Sequence, residues 1–218
     1  MTTVLKFKGD LNTSALRDLE QKQEIFLDCE ATGLKINRDR LSLVTIFDGD
    51  KTCFIIQPSK EYHCPNLVSL LANNKIGKCA HYMRFDAAFL SYFLRCEIKG
   101  EITCTKVMSK IARGNSSHSL RDLIFEFAGK KIDKKLGTNT DWSKDLETFN
   151  ESEVNYCIND VLFLPKIKLA LTKILKREKG RFDLYKQTIQ WLPVRVKLDS
   201  NGFEDMDVWS HSLIKIYK

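Results

Sequence analysis

An apolar segment that ends in two acids, Ile25–Glu30, constrains the fold more than any other part of the sequence. The segment predicts a buried β-strand, in which Asp28 and Glu30 point to one face while Leu27 and Cys29 point to the other. Two carboxylates that lose hydration side by side repel each other, and a cation must offset this cost. The cation could be lysine, arginine or a divalent metal, and a pair of solvated acids at a strand end is the alternative interpretation.

The order of the predicted elements indicates an α/β fold. A short strand and a helix precede the acidic strand, and two further strands, Arg40–Phe47 and Lys51–Ile56, flank Asp48-Gly49-Asp50 as a hairpin. Counted from the acidic strand, Lys75–Ala80 is the fourth predicted strand, and the chain beyond it is predicted to be mostly helical. This order indicates a mixed sheet with helices packed on its faces.

The helices beyond the fourth strand have recognisable starts. Ser116 or Ser117 is expected to cap the second of them, and Asn150 with Glu153 forms a capping-box pattern for the third. Between these two helices, the polar segment 129–144 predicts an exposed loop that could lie near a site. The predicted helices are Thr105–Ala112, His118–Ala128, Glu151–Asp160 and Leu162–Lys176.

Length and composition are typical of one globular domain. We predict a single domain over residues 1–218, with a core at about 24–178 and an extension at 179–218 that packs on it. No run of about 18 apolar residues and no secretory signal occur, so we expect a cytoplasmic protein with no membrane partner. The apolar tail around Trp209 could serve a dimer as easily as a core. The expected anchors of the extension are Trp191, Leu192, Phe203 and Trp209.

Cysteine content and charge narrow the classes of function. The seven cysteines are odd in number and contain no Cys-x-x-Cys pair, which argues against a disulfide framework and a zinc knuckle. The formal net charge of +7 and the pI near 9.0 favour a polyanionic partner, most often a nucleic acid.

Two further carboxylates follow the acidic strand in the sequence. Tyr156 and Asp160 are four residues apart in a predicted helix, so they share one face and can hold a water between them. The alternative is a tyrosine with its ring in the core beside a solvated acid. Asp86 follows the fourth strand, in the first turn of a helix, where capping of the helix N-terminus is its alternative role.

Together these residues resemble the motifs of a 3′-to-5′ exonuclease superfamily, the one named for its Asp-Glu-Asp-Asp set, in the branch with tyrosine in the third motif. Within it the chain is most similar to ribonuclease D, in short bacterial forms without the helical C-terminal nucleic-acid-binding domain. Three departures occur: Cys29 stands in place of the usual Thr, His81 in place of a frequent Asn, and Cys104 in place of a frequent Asp. The motifs are Asp28-x-Glu30, Asp86 and Tyr156-x-x-x-Asp160, with His118–Leu123 and Asp141–Ser143 between the second and third.

The resemblance implies a ribonuclease H-like fold and hydrolysis of a phosphodiester by two divalent metal ions, Mg²⁺ or Mn²⁺. Asp28, Glu30 and Asp160 are expected to hold the first ion, with Asp28 bridging to the second and Asp86 reaching it through water. Tyr156 is expected to orient the attacking water, since a phenol near pKa 10 is a poor base at neutral pH.

The substrate implied by the resemblance is RNA with a free 3′ end, in the processing of tRNA or other stable RNA. The turn Thr32-Gly33-Leu34 is expected to meet the terminal nucleotide, because Gly33 permits close approach and Leu34 can wedge against the last base. Core packing is the alternative for Leu34. His81 and Phe85 are weaker candidates for the same pocket.

Three other functions stay open at this stage. A DNA exonuclease of the proofreading or Werner type shares the same motifs. A non-catalytic RNA-binding module is expected to have lost an acid or the tyrosine, and here all five are present. A structural scaffold, whose acids merely pair with Lys and Arg, predicts that Mg²⁺ has no effect on thermal stability.

Overall fold

A computed structural model shows a six-stranded mixed sheet flanked by helices. The structure describes residues 2–114, 116–132 and 136–209. The strands are β1 (Thr3–Gly9), β2 (Glu24–Ala31), β3 (Leu41–Phe47), β4 (Thr52–Pro58), β5 (Gly77–Ala80) and β6 (Ile102–Cys104). The helices are α1 (Thr13–Glu20), α2 (Pro65–Ala72), α3 (Met83–Leu94), α4 (Thr105–Arg113), α5 (Leu120–Ala128), α6 (Leu136–Asn139), α7 (Glu151–Leu162), α8 (Leu164–Arg177), α9 (Arg181–Ile189) and α10 (Leu192–Ser200).

The acidic strand β2 lies in the interior of the sheet. The strand order is β1-β4-β3-β2-β5-β6, so β2 is bonded on one side to the hairpin and on the other to β5. The β2–β3 and β3–β4 pairs are antiparallel, whereas β1–β4, β2–β5 and β5–β6 are parallel. The predicted hairpin and the mixed sheet are therefore confirmed.

Two hydrophobic clusters cover the two faces of the sheet. Alternate residues of β2 separate them, since Leu27 and Cys29 belong to the cluster that includes α1, α2 and α3, whereas Phe26 belongs to the other. That second cluster includes the buried faces of α4, α5, α7 and α8. The predicted α/β architecture with helices on both faces is confirmed, and Cys29 faces the core as expected.

Two details differ from the sequence-based expectations, and a third agrees with them. β6 was not predicted, because a strand of three residues is too short to show an alternating pattern. Helix α5 is capped by the side chain of Ser119, which accepts the backbone N–H of Asp122, so the expected cap at Ser116 or Ser117 is wrong. The capping box of Asn150 and Glu153 at the start of α7 is confirmed.

The C-terminal extension packs on the sheet domain through other residues than most of the expected anchors. Leu192 packs against the core, but Trp191, Phe203 and Trp209 are exposed, so their assignment as anchors is wrong. Helix α10 packs on α3, where buried Asp199 forms a bidentate ion pair with Arg84, at 2.7 and 2.8 Å. Ser210–Lys218 lie outside the described residues.

No helix among the described residues is long and apolar enough to cross a membrane.

Buried Lys78 ties β5 to the loops around it. The side chain is fully buried, and its ammonium donates to the backbone oxygens of Asn73, Ile76 and Lys99. We expect Lys78→Met, which keeps the aliphatic volume but leaves these acceptors unsatisfied, to lower the free energy of unfolding by about 3 kcal/mol. Urea unfolding measures it, and a variant as stable as the wild type would contradict this assignment.

Candidate active site

Three carboxylates meet at the end of β2. Asp28 and Glu30 project from the strand toward α7, and Asp160 projects from that helix. One oxygen from each of the three lies within 4.8 Å of the others. Asp160 is buried and the other two are half-buried. A cluster of oxygen donors at this spacing suits a hard divalent cation such as Mg²⁺.

Asp86 reaches the same strand from the opposite face of the sheet. It lies in the first turn of α3, is only 2% exposed, and accepts the backbone N–H of Cys29 at 2.9 Å. Burial, with a smaller contribution from the charge of Asp160, raises the pKa of this carboxyl to about 7, against the lowering effect of that hydrogen bond. Asp86 therefore adjoins the three-acid cluster without belonging to it.

Tyr156 shares the face of α7 that carries Asp160. Burial raises the pKa of its phenol well above the ordinary value, and the neighbouring charges of Asp160, Glu30 and Asp28 act in the same direction. The phenol is consequently protonated at neutral pH, so it can donate a hydrogen bond but cannot serve as a base. The structure brings the tyrosine and three of the predicted acids together.

The turn that follows β2 is closed by hydrogen bonds and presents Leu34 outward. The backbone N–H of Thr32 donates to the carbonyl oxygen of Arg40 at 2.9 Å, and the backbone N–H of Arg40 donates to the hydroxyl of Thr32 at 2.8 Å. Leu34 is 81% exposed, so the alternative of core packing is wrong for this residue. Together with Phe85 it lines a cavity of about 280 Å³ that also includes Tyr82.

Asp39 holds this turn and was missed by the sequence analysis. The buried carboxylate accepts the backbone N–H of Lys35 and both side-chain donors of Arg38, which hold its pKa at about 2. Gly33 packs against it so closely that a Cβ there would lie 2.2 Å from Asp39 Oδ2. The contact requires glycine at position 33, and no local sequence pattern reveals it.

We expect Asp39→Asn to raise KM for RNA about tenfold, because an amide cannot accept all three donors and the turn would shift. The carboxylate cluster is untouched, so kcat should change by less than about twofold. Steady-state kinetics measures both constants. Arg38→Gln is the matched control with a smaller expected effect, since that side chain is largely exposed. An unchanged KM in Asp39→Asn would contradict the role given to this residue.

His81 lies in a network of internal hydrogen bonds. Its Nδ1 is 3.0 Å from the hydroxyl of Thr105, and its Nε2 is 3.1 Å from the carbonyl oxygen of His118. Because a carbonyl only accepts, we assign the proton to Nε2. The ring thus joins the end of β5 to α4 and to the segment before α5. Its predicted contact with substrate stays a prediction.

Cys104 belongs to the same interior network. The buried thiol donates to the carbonyl oxygen of His81 at 3.3 Å, and the backbone N–H donates to the hydroxyl of Tyr185. A small, weakly polar thiol suits this enclosed position.

The segment 129–144 is not simply an exposed loop. Trp142 is 4% exposed and its ring contacts those of Phe149 and Tyr156, so the expectation of exposure is wrong for this residue. Residues 133–135 of the segment lie outside the described residues.

Comparison with known proteins decides the family. A family model described as 3′-5′ exonuclease matches residues 8–176, which is most of the chain. The chain belongs to this 3′-5′ exonuclease family. It is a hydrolase that acts on phosphodiester bonds, and the predicted resemblance is confirmed. A comparison with curated protein sequences gave no significant match.

Solved structures of nucleases are similar to this exonuclease over nearly all of its length. Brucella melitensis NrnC with bound Mg²⁺ is 31% identical, with a TM-score of 0.86 over 97% of this chain and 100% of that one. NrnC bound to pGG is 32% identical, with a TM-score of 0.87 over the same shares. Escherichia coli RNase D is 18% identical, with a TM-score of 0.65 over 95% of this chain and 52% of that one, and it shares the fold.

Proposed function

We propose that this exonuclease is a metal-dependent exoribonuclease that removes nucleotides from RNA 3′ ends. The observation that carries the proposal is the meeting of three carboxylate oxygens within 4.8 Å beside the protonated phenol of Tyr156. The similarity to NrnC bound to pGG supports a small or single-stranded nucleic acid as the ligand.

The donor set fits divalent metal ions, because its members offer only hard oxygen ligands on a partly enclosed surface. Asp28, Glu30 and Asp160 would hold one Mg²⁺ or Mn²⁺ ion, and Asp28 and Asp86 would serve a second. Such ions would supply an activated water and stabilisation of the leaving oxygen.

The protein side chains have separate tasks in this reaction. Asp28, Glu30, Asp86 and Asp160 would hold the ions, and the burial of Asp160 limits the access of bulk water to its carboxylate. The Tyr156 hydroxyl orients the attacking water by a hydrogen bond, which is the task left to a phenol that stays protonated.

The turn at Thr32-Gly33-Leu34 aligns the 3′ end of the RNA. Leu34 has the exposure needed to contact a base, and Phe85 lines the same cavity. The space left by the missing Cβ of Gly33 is occupied by Asp39, so Gly33 supports the turn that presents Leu34 instead of giving a nucleotide close access, as was expected from the sequence. This arrangement selects the free end of an RNA strand and not a phosphodiester within it, because Leu34 contacts the last base.

We also propose that residues 1–218 act as a single domain in the cytoplasm. Trimming of tRNA or other stable RNA precursors is the cellular role we favour. RNA is expected to bind through the basic surface, given a net charge of +7, so affinity should fall steeply with salt.

Matched RNA and DNA oligonucleotides, each as a dinucleotide and as a longer strand labelled at the 5′ end, test the proposal with Mg²⁺ and with Mn²⁺. We expect RNA to be shortened from its 3′ end and DNA to be cut much more slowly. Equal rates on DNA would contradict the assignment as a ribonuclease. Tight RNA binding without any shortening would indicate a binding module instead. The relative rates on the dinucleotide and on the longer strand define the preferred length.

A further inference from the structure

The short helix α6 lies directly against Tyr156. A Cβ built on Gly137 would lie 2.1 Å from the phenol oxygen of Tyr156 and 2.7 Å from its Cζ, which is closer than real Cβ atoms come. The backbone of Gly137 does not adopt a left-handed conformation. Glycine is therefore required here by the approach of the phenol and not by the backbone angle.

Trp142 holds α6 in this place. Its indole N–H donates to the carbonyl oxygen of Gly137 at 3.4 Å, while its ring lies 5.5 Å from that of Tyr156 and 5.7 Å from that of Phe149. Thr140 closes the helix, since its backbone N–H and its hydroxyl both donate to the carbonyl oxygen of Leu136. The phenol thus has the indole ring on one side and the Gly137 backbone at its tip.

We propose that Gly137 and Trp142 are positioning residues that set the location of the Tyr156 hydroxyl. The inference rests on the proposed function, in which that hydroxyl orients the attacking water. A displacement of about 1 Å at a group that aligns a reacting atom can cost about 10²-fold in rate. Neither residue needs to contact the RNA or the metal for this role.

Gly137→Ala tests the proposal, because the added methyl group must push the phenol aside. We expect kcat to fall about tenfold or more, with KM for RNA and the Mg²⁺ dependence nearly unchanged. Trp142→Phe keeps an aromatic ring but removes the bond to Gly137, and a smaller loss of kcat is expected. Thr140→Val is the control, since it disturbs the same helix without placing an atom against Tyr156.

A double-variant cycle separates positioning from general damage. In the Tyr156→Phe background the hydroxyl is absent, so adding Gly137→Ala should lower kcat no further. Equal losses in both backgrounds, or a Gly137→Ala variant as fast or faster than the wild type, would overturn the inference. Urea unfolding of each variant identifies any loss of kcat that is caused by unfolding. If Gly137→Ala is unfolded, the kcat of Trp142→Phe in the two backgrounds tests the positioning role instead.

The same cycle distinguishes this inference from the proposed function. If Tyr156→Phe alone leaves kcat unchanged, the hydroxyl has no part in the reaction. That result would contradict both its proposed role in orienting the attacking water and the positioning role of Gly137 and Trp142. If Tyr156→Phe is slow while Gly137→Ala and Trp142→Phe are normal, only the positioning role is contradicted.

Discussion

The variant Asp28→Asn is expected to turn over RNA at least about 10³-fold more slowly than the wild type. Asp28 is one of three carboxylates whose oxygens lie within 4.8 Å, and we assign it to both metal ions. Loss of one ligand charge removes several kcal/mol of stabilisation from the transition state, and each 1.4 kcal/mol corresponds to about tenfold in rate. Single-turnover kinetics at saturating protein and Mg²⁺ measures the effect on the chemical step.

Stability measurements exclude the trivial explanation that Asp28→Asn unfolds. Because this change reduces repulsion within the acidic cluster, the metal-free variant should melt no lower than the wild type. Mg²⁺ should raise the melting temperature of the wild type much more than that of the variant. Asp18→Asn, an exposed acid on α1, is the control and should behave as the wild type does. Normal turnover by Asp28→Asn would refute the metal assignment.

Tyr156→Phe is expected to lower kcat by about 10²-fold while the Mg²⁺ dependence stays the same. The substitution removes only the hydroxyl, so the carboxylates and the aromatic contact with Trp142 are retained. The pKa of Tyr156 lies above its ordinary value because of burial and the neighbouring acids, so the phenol of the free protein stays protonated across about pH 6 to 9. The pH–rate profile of the variant should therefore be lower but of the same shape.

A tyrosine outside the site provides the control for this experiment. Tyr185 is buried in α9, and its hydroxyl accepts the backbone N–H of Cys104 at 3.3 Å. Tyr185→Phe should lower stability by about 1 kcal/mol and leave kcat unaltered. Loss of the rising limb of the pH profile in Tyr156→Phe would instead make the phenol a base and contradict the orienting role.

The acids of the site could be predicted because their placement is a local property. Alternation along β2 puts Asp28 and Glu30 on one face, and the helical repeat puts Tyr156 and Asp160 on one face, whatever the rest of the chain does. The resemblance to a known family then indicated that the two pairs belong to one site. The structure confirms the mixed sheet that brings three of these acids together.

The supporting contacts could not be predicted because they depend on tertiary packing. Asp39 reads as a polar residue in a loop, yet it is buried against Gly33. Gly137 reads as a loop glycine, yet its role is to admit a phenol from a helix that begins fourteen residues later in the sequence. The expected anchors Trp191 and Trp209 are exposed, since apolar character alone does not tell which face a residue will occupy.

Metal removal tests the central claim most directly, namely that the acidic cluster is a divalent-metal centre for hydrolysis at the 3′ end. The protein is stripped with EDTA, dialysed, and mixed with RNA labelled at the 5′ end before Mg²⁺ is titrated back. The account predicts no cleavage by the metal-free protein and a ladder that shortens from the 3′ end as Mg²⁺ is restored. Shortening that persists at full rate without metal would contradict it.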